Sequence, residues 1–172
     1  MAENPKKILM VIAPSNFRDE ELFHPKKVLE KKGFEVKIAS SKSGEIKGVM
    51  GGTAVPDFKL EEVRAEDFDA VVFIGGGGAS VYFNDATAQN LAKDAFSLGK
   101  IVAAICIAPS TLANAGLLEG KNATSYSSEQ GNLEAKGAVY SGANVTIDGK
   151  IITANGPAAA KEFGEKIAEA LR

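Results

Sequence analysis

Five apolar residues, Ile101-Val-Ala-Ala-Ile105, run directly into the chain's only cysteine, Cys106. Ile107-Ala-Pro109 follows, then a helical pattern from Ser110 to Ala115 that stops at Gly116. An unbroken apolar run of this length, entered from Gly99-Lys100, suits a strand buried on both faces. Proline at the first helical position and glycine just past the last one are helix start and stop signals. The pattern therefore puts Cys106 in a sharp strand-to-helix turn, with Ala103, Ala104 and Ala108 small enough to let it pack. That is the logic of a nucleophile elbow, with cysteine for serine and without the flanking glycines. A thiol at a helix N-terminus faces unpaired N–H groups and the positive dipole end, so a lowered Cys106 pKa is expected.

The rest of the chain alternates strand and helix around this element. Lys6 to Ala13 reads as a buried strand, and a helix follows from about Asp19 to Lys32, ended by Gly33. Its acids (Asp19, Glu20, Glu21) lie early and its lysines late, which complements the dipole; Pro25 predicts a kink or a restart. Phe34 to Ser40 closes a strand–helix–strand unit, which requires a right-handed parallel crossover. Lys42 to Pro56 reads as a hairpin excursion, Leu60 to Ala65 as a short helix or loop, and Asp69 to Ile74 as a strand ending in Gly75 to Gly78. A helix from Ala86 to Leu98, capped by Asn84 or Asp85, precedes the cysteine strand. Weaker strands lie at Ala123 to Ser125, Ala138-Val139 and Asn144 to Ile147, with Ser127 to Glu134 a polar segment. Asp148-Gly149 predicts a two-residue hairpin turn into Lys150 to Thr153, and Asn155-Gly-Pro157 starts a last helix to Arg172. The expected fold is α/β, a flavodoxin-like three-layer sandwich with a mostly parallel central sheet. The 172 residues suit one domain, 1–172, with no internal repeat or linker.

Composition narrows the function. A formal net charge of -2 without a basic block speaks against nucleic acid as a partner. The apolar run Ile8 to Ala13 is too short for a membrane segment, so no membrane partner is expected. A single cysteine cannot close an internal disulfide and points to a reducing, cytoplasmic setting. One histidine gives no zinc cluster, and the sequence asks for no metal and no cofactor. Gly75 to Gly78 is followed by no Gly-Lys-Ser/Thr and is not a Gly-x-Gly-x-x-Gly pattern, so a nucleotide site is disfavoured.

Ligands of such sheets bind beyond the carboxyl ends of the strands, where Ser15 to Glu21, Gly75 to Gly78 and Cys106 should meet. The N–H of Ile107, and that of Gly76 or Gly75, are the candidate oxyanion donors. Glu21, beside apolar Leu22 and Phe23, is the candidate acid partner. A carboxylate would repel a thiolate, whereas a protonated Glu21 would donate to the sulfur, so the expectation is a coupled pair with a raised Glu21 pKa. Asp19 and Glu20 read as solvated first-turn acids.

Together these segments resemble the PfpI superfamily (ThiJ/PfpI), the group that includes the Parkinson-disease-linked deglycase and archaeal intracellular proteases. The resemblance spans nearly the whole chain. Phe17-Arg-Asp-Glu-Glu-Leu-Phe-His-Pro25 is similar to the acidic stretch in which a Glu stands four residues before Pro, here Glu21. Asp69-Ala-Val-Val-Phe-Ile-Gly-Gly76 resembles the oxyanion segment, and Ala103-Ala-Ile-Cys-Ile-Ala-Pro109 the cysteine elbow, with Ala108 where Gly is usual. Ala123-Thr-Ser-Tyr126 and Thr153-Ala-Asn-Gly-Pro157 match late motifs. The resemblance implies a class I glutamine amidotransferase-like fold, a homodimer or larger homo-oligomer, and Cys106 and Glu21 as the catalytic pair.

The departures are specific. Protease-like members carry His after the cysteine, where this chain has Ile107. The deglycase-like branch has a His where Tyr126 stands and an Arg where Asn155 stands, which removes a base and the expected contact for an anionic ligand. His24 matches neither histidine. Gly75, Tyr126 and Asn155 remain candidate pocket residues. Peptidase activity is not expected. The resemblance implies instead a glyoxalase- or deglycase-like action on small electrophilic carbonyls, with low turnover. The alternative is a non-enzymatic, redox-sensing protein of oxidative stress in which an oxidant converts Cys106 to a sulfinate.

Overall fold

The computed structural model describes residues 4–172. Strand β1 (Lys7–Val11) leads through helix α1 (Asp19–Lys31) to β2 (Glu35–Ser40). The excursion β3 (Ile46–Lys47) and β4 (Thr53–Ala54) precedes an edge strand, β5 (Phe58–Lys59). Two short 3-10 turns separate it from β6 (Ala70–Phe73). A 3-10 segment, Gly77–Tyr82, joins this to α2 (Ala86–Ser97), β7 (Ile101–Ile105) and α3 (Pro109–Asn114). The chain finishes as β8 (Asn122–Ala123), α4 (Gln130–Ala135), β9 (Val139–Tyr140), β10 (Val145–Asp148), β11 (Ile151–Ala154) and α5 (Ala160–Ala170).

Seven strands form one sheet in the order β10-β11-β7-β6-β1-β2-β5, parallel except where β10 pairs antiparallel with β11. Burial on both faces follows from the alternation along each central strand. Ile8, Met10 and Ile12 face one apolar layer with Ala103, Ile105 and Phe163 of α5. Leu9 and Val11 face the other with Val102, Leu91 of α2 and Leu112 of α3. Helices therefore cover both faces, giving the expected three layers. The order reverses at β1, whose neighbours are β2 and β6, and this switch point is where such sheets open a crevice.

Several local expectations shift. Helix α1 passes through Pro25 without interruption. Proline withholds the N–H that the Glu21 carbonyl would accept, but Pro25 is buried against α5. There Gly164 approaches so closely that a Cβ would stand 2.8 Å from the Pro25 Cα. The hairpin loop at the end of β10 is Gly149-Lys150 rather than Asp148-Gly149, because Asp148 pairs with Ile151; Gly149 takes φ 60° as the first loop residue. β5 and α4 were not expected: β5 is an exposed edge, and α4 buries only Leu133, so neither leaves an apolar period. Asp85 caps α2 by accepting from the Ala88 N–H at 2.9 Å. No helix among the described residues is long and apolar enough to cross a membrane.

Candidate active site

β7 ends and α3 begins around Cys106, which takes φ 66°, a left-handed conformation costly for a side-chain-bearing residue. The surroundings hold it there. Its N–H donates to the Ala154 carbonyl at 3.0 Å and its own carbonyl accepts from Tyr126 N–H at 2.8 Å. Ala108, where the resembled elbow has Gly, sits at φ -60°, so its methyl group costs the turn nothing. A partly buried network braces α3: Ser110 Oγ donates to Glu129 at 2.6 Å, and Asn132 Nδ2 donates to the same Ser110 Oγ at 3.0 Å.

Three chain segments meet at the thiol. Glu21, on the first turn of α1, is fully buried, and neither of its carboxyl oxygens has a hydrogen-bond partner among the described residues. Gly75 lies between the two side chains. A Cβ on it would collide with Glu21 Oε1 and would stand 2.5 Å from the Cys106 Cβ and 2.8 Å from the Ile105 carbonyl. No other residue type fits there without moving the pair apart. Gly76 takes φ 101°, packed against the Arg18 backbone nitrogen, and its N–H and that of Ile107 lie near enough to the Cys106 sulfur to favour the thiolate. The structure thus gathers Cys106, Glu21, Gly75, Gly76 and Ile107 in one place.

The electrostatics follow from burial. Desolvation raises Glu21 from 4.5 to about 7, partly opposed by the Cys106 thiol and the Gly75 N–H, which lie close by but outside hydrogen-bonding geometry, and by the positive charge of Arg18. Cys106 is pushed up to about 12, first by burial and then by the charge on Glu21, with the Gly76 and Ile107 N–H groups pulling the other way. The expected lowering of the Cys106 pKa is therefore overturned. α3 has only six residues and a weak dipole, and desolvation beside a carboxylate outweighs it. The two groups titrate as a pair, and the first proton leaves near 7.

Tyr126 and Asn155 stand apart from the pair. Tyr126 reaches Cys106 through its backbone, while its side chain, half exposed, lines a groove of about 450 Å³ with Tyr140, Asn155 and Gly156. Asn155 Nδ2 donates to Asn144 Oδ1 at 3.3 Å. His24 lies in a different groove, with Lys27, Lys31 and Lys161. Among the described residues no group of three His, Cys, Asp or Glu side chains could hold a metal ion.

Two residues at the start of α1, Asp19 and the preceding Arg18, carry more than the sequence suggested. Asp19 is buried, accepting the N–H groups of Met50 at 2.9 Å and Gly52 at 2.7 Å, so it anchors the β3–β4 excursion instead of facing solvent. Arg18 donates its backbone N–H to the Gly75 carbonyl at 2.9 Å and forks its side chain onto Glu20, with Nε and Nη2 each 2.9 Å from a carboxylate oxygen. Its signal in the sequence is only its place at the start of a helix that enters the crevice.

Comparison with known proteins agrees with this architecture. The DJ-1/PfpI family model matches residues 6–170. The chain belongs to the DJ-1/PfpI family. It is 36% identical to a deglycase of Pyrococcus abyssi over 87% of this chain and 90% of that protein. It is 30% identical to a glutathione-independent glyoxalase of Caenorhabditis elegans over 96% of this chain and 89% of the relative. The crystal structure of a ThiJ/PfpI domain protein from Brachyspira murdochii superposes with a TM-score of 0.95 at 37% identity, covering 98% of each chain.

Proposed function

We propose that the chain acts on small electrophilic carbonyls, α-oxoaldehydes among them, through Cys106 as nucleophile and Glu21 as proton carrier. The observation that carries this reading is the meeting of a buried, unpartnered Glu21 carboxyl with Cys106 across Gly75. The deglycase and glyoxalase names of relatives at 36% and 30% identity support the substrate class.

The chemistry needs no histidine. With one proton on the pair, ionised Glu21 takes the thiol proton as the sulfur bonds to the aldehyde carbon, and the carbonyl π electrons move onto oxygen. Gly76 and Ile107 N–H groups stabilise the developing charge. Glu21 returns the proton to that oxygen, giving a hemithioacetal. Glu21 then takes the hydrogen of the former aldehyde carbon as a proton; the C–H electron pair forms the double bond of an enediol as the ketone π pair moves onto its oxygen, which takes the neighbouring hydroxyl proton. Glu21 returns its proton to the former ketone carbon as the other oxygen re-forms a carbonyl, which leaves a thioester. Water hydrolyses that ester to a 2-hydroxy acid and frees the thiol. A carboxyl with its pKa raised to about 7 is matched to such transfers near neutral pH.

Methylglyoxal consumption by the wild type, Cys106→Ser and Glu21→Gln tests this. Loss of activity in Cys106→Ser and a drop of at least a hundredfold in Glu21→Gln are expected; wild-type turnover equal to the buffer blank overturns the reading. One observation favours a second role. The sulfur faces two N–H donors and a carboxyl that suit a sulfinate, and the chain's single histidine lies elsewhere. In that role two equivalents of peroxide oxidise the thiolate through a sulfenate to the sulfinate, each peroxide being reduced to water or hydroxide. Clean sulfinate formation by mass spectrometry at low peroxide, without methylglyoxal turnover, selects that role.

A further inference from the structure

Asn155 offers no cation to an anionic ligand, but Arg18, on the chain segment bonded to Gly75, does. Arg18 precedes the first turn of α1, and its backbone is locked to the glycine segment that lines the cysteine. Its N–H donates to Gly75 O at 2.9 Å, and its nitrogen packs on Gly76. The side chain is about one-third exposed and, among the described residues, has a single ionic partner, Glu20. Glu20 occupies one edge of the guanidinium, the Nε–Nη2 edge. Arginine carries five N–H donors in a planar fork, so the Nη1–Nη2 edge is left for a second planar acceptor. Among the described residues no other acceptor takes it. The positive charge is felt by both members of the pair: it favours ionised Glu21, and the charge on Cys106 in turn favours protonated Arg18.

We propose that the open edge of Arg18 binds a carboxylate on the electrophile, so that the site prefers carbonyl compounds bearing a carboxylate within a carbon or two of the carbon Cys106 attacks. The ion pair with Glu20 does not oppose this. Exposed pairs are worth little, and Glu20 orients the guanidinium, fixing the free edge. Two parallel N–H···O bonds to one carboxylate would hold the neighbouring carbon in place, while the Gly76 and Ile107 N–H groups stay free for the oxyanion. This inference rests on the reading of Cys106 as nucleophile and adds its selectivity.

Two alkylating agents of nearly equal size separate the charge from the chemistry. Iodoacetate carries a carboxylate beside the reacting carbon and iodoacetamide a neutral amide. Each forms a sulfur–carbon bond as iodide leaves with the bonding pair. The rate ratio of iodoacetate to iodoacetamide at Cys106, followed by mass spectrometry at pH 8, is compared with the ratio for glutathione. For the wild type the ratio is expected to exceed that of glutathione at least fivefold. Arg18→Gln should bring it to within twofold of glutathione, Arg18→Lys should fall between, and Glu20→Gln should raise it. Iodoacetamide alkylation and a cooperative thermal transition report that each variant is folded. A ratio unchanged in Arg18→Gln, a wild-type ratio equal to that of glutathione, or a thiol that neither reagent modifies each overturns the proposal. Failure to consume methylglyoxal with the Arg18-dependent ratio intact sinks the carbonyl chemistry and leaves the carboxylate selectivity standing.

Discussion

Burial makes both Glu21 and Cys106 costly to ionise; the charge on Glu21 adds to the cost at Cys106 while the thiol eases the ionisation of Glu21, and that coupling sets how the thiol behaves. Below about 7 the pair holds two protons and no charge; above it, one proton and one negative charge are shared. Only the second state contains a base beside the thiol. Alkylation of Cys106 by iodoacetamide should therefore rise with pH through an inflection near 7, well below the thiol's own titration. Glu21→Gln keeps the shape and removes the base. Its rate at pH 7.5 should fall at least tenfold and its inflection near 7 should disappear. A Glu21→Gln profile that keeps the inflection would assign that titration to another group. Burial causes both shifts, and burial of Glu21 follows from its place in the first turn of α1, against the glycine segment.

Among elements, the loop after β6 does most to assemble the site, because it lets α1 and β7 approach each other. Gly75→Ala places a methyl group against Glu21 Oε1 and the Cys106 Cβ, both held by buried backbone. Overpacking of this kind costs about 1–3 kcal/mol. The expected result is a melting temperature lower by several degrees and a Cys106 alkylation rate reduced at least tenfold; a variant with wild-type values of both would show that the pair can spread. This closeness was half legible in the sequence. The buried strands and the elbow announce themselves, since Ile101 to Ile105 and Ile8 to Ala13 are apolar without interruption and Pro109 and Gly116 mark the turns. The partnership of Glu21, Gly75 and Cys106 followed from strand ends converging, a property of parallel sheets. What could not be read was whatever depends on who packs against whom. Asp19 looks like Glu20 in a first turn, yet the β3–β4 excursion brings the Met50 and Gly52 N–H groups to Asp19 alone. Pro25 signals a break, and only the close approach of Gly164 shows why none occurs. The direction of the Cys106 shift was misread because helix position was weighed without the depth of burial that the fold imposes.

For the whole molecule, a site built around an unpartnered buried acid costs stability, and the cost depends on pH. Glu21 binds its proton more tightly folded, at about 7, than at the ordinary 4.5 of an unfolded chain. Between those values the folded state holds more protons than the unfolded one, so stability falls as pH rises through that window and levels off above 7. The span corresponds to about 3 kcal/mol from this single group, a large share of a typical domain's margin. Glu21→Gln removes the ionisation and keeps the volume. The variant should match the wild type near pH 4.5 and exceed it by about 2–3 kcal/mol at pH 8, read as a difference in urea midpoints between the two pH values. Equal pH dependence in both proteins would mean that Glu21 is not the group whose burial the fold tolerates. A gain confined to high pH, bought with lost thiol reactivity, would identify the acid as a strain kept for the chemistry of Cys106.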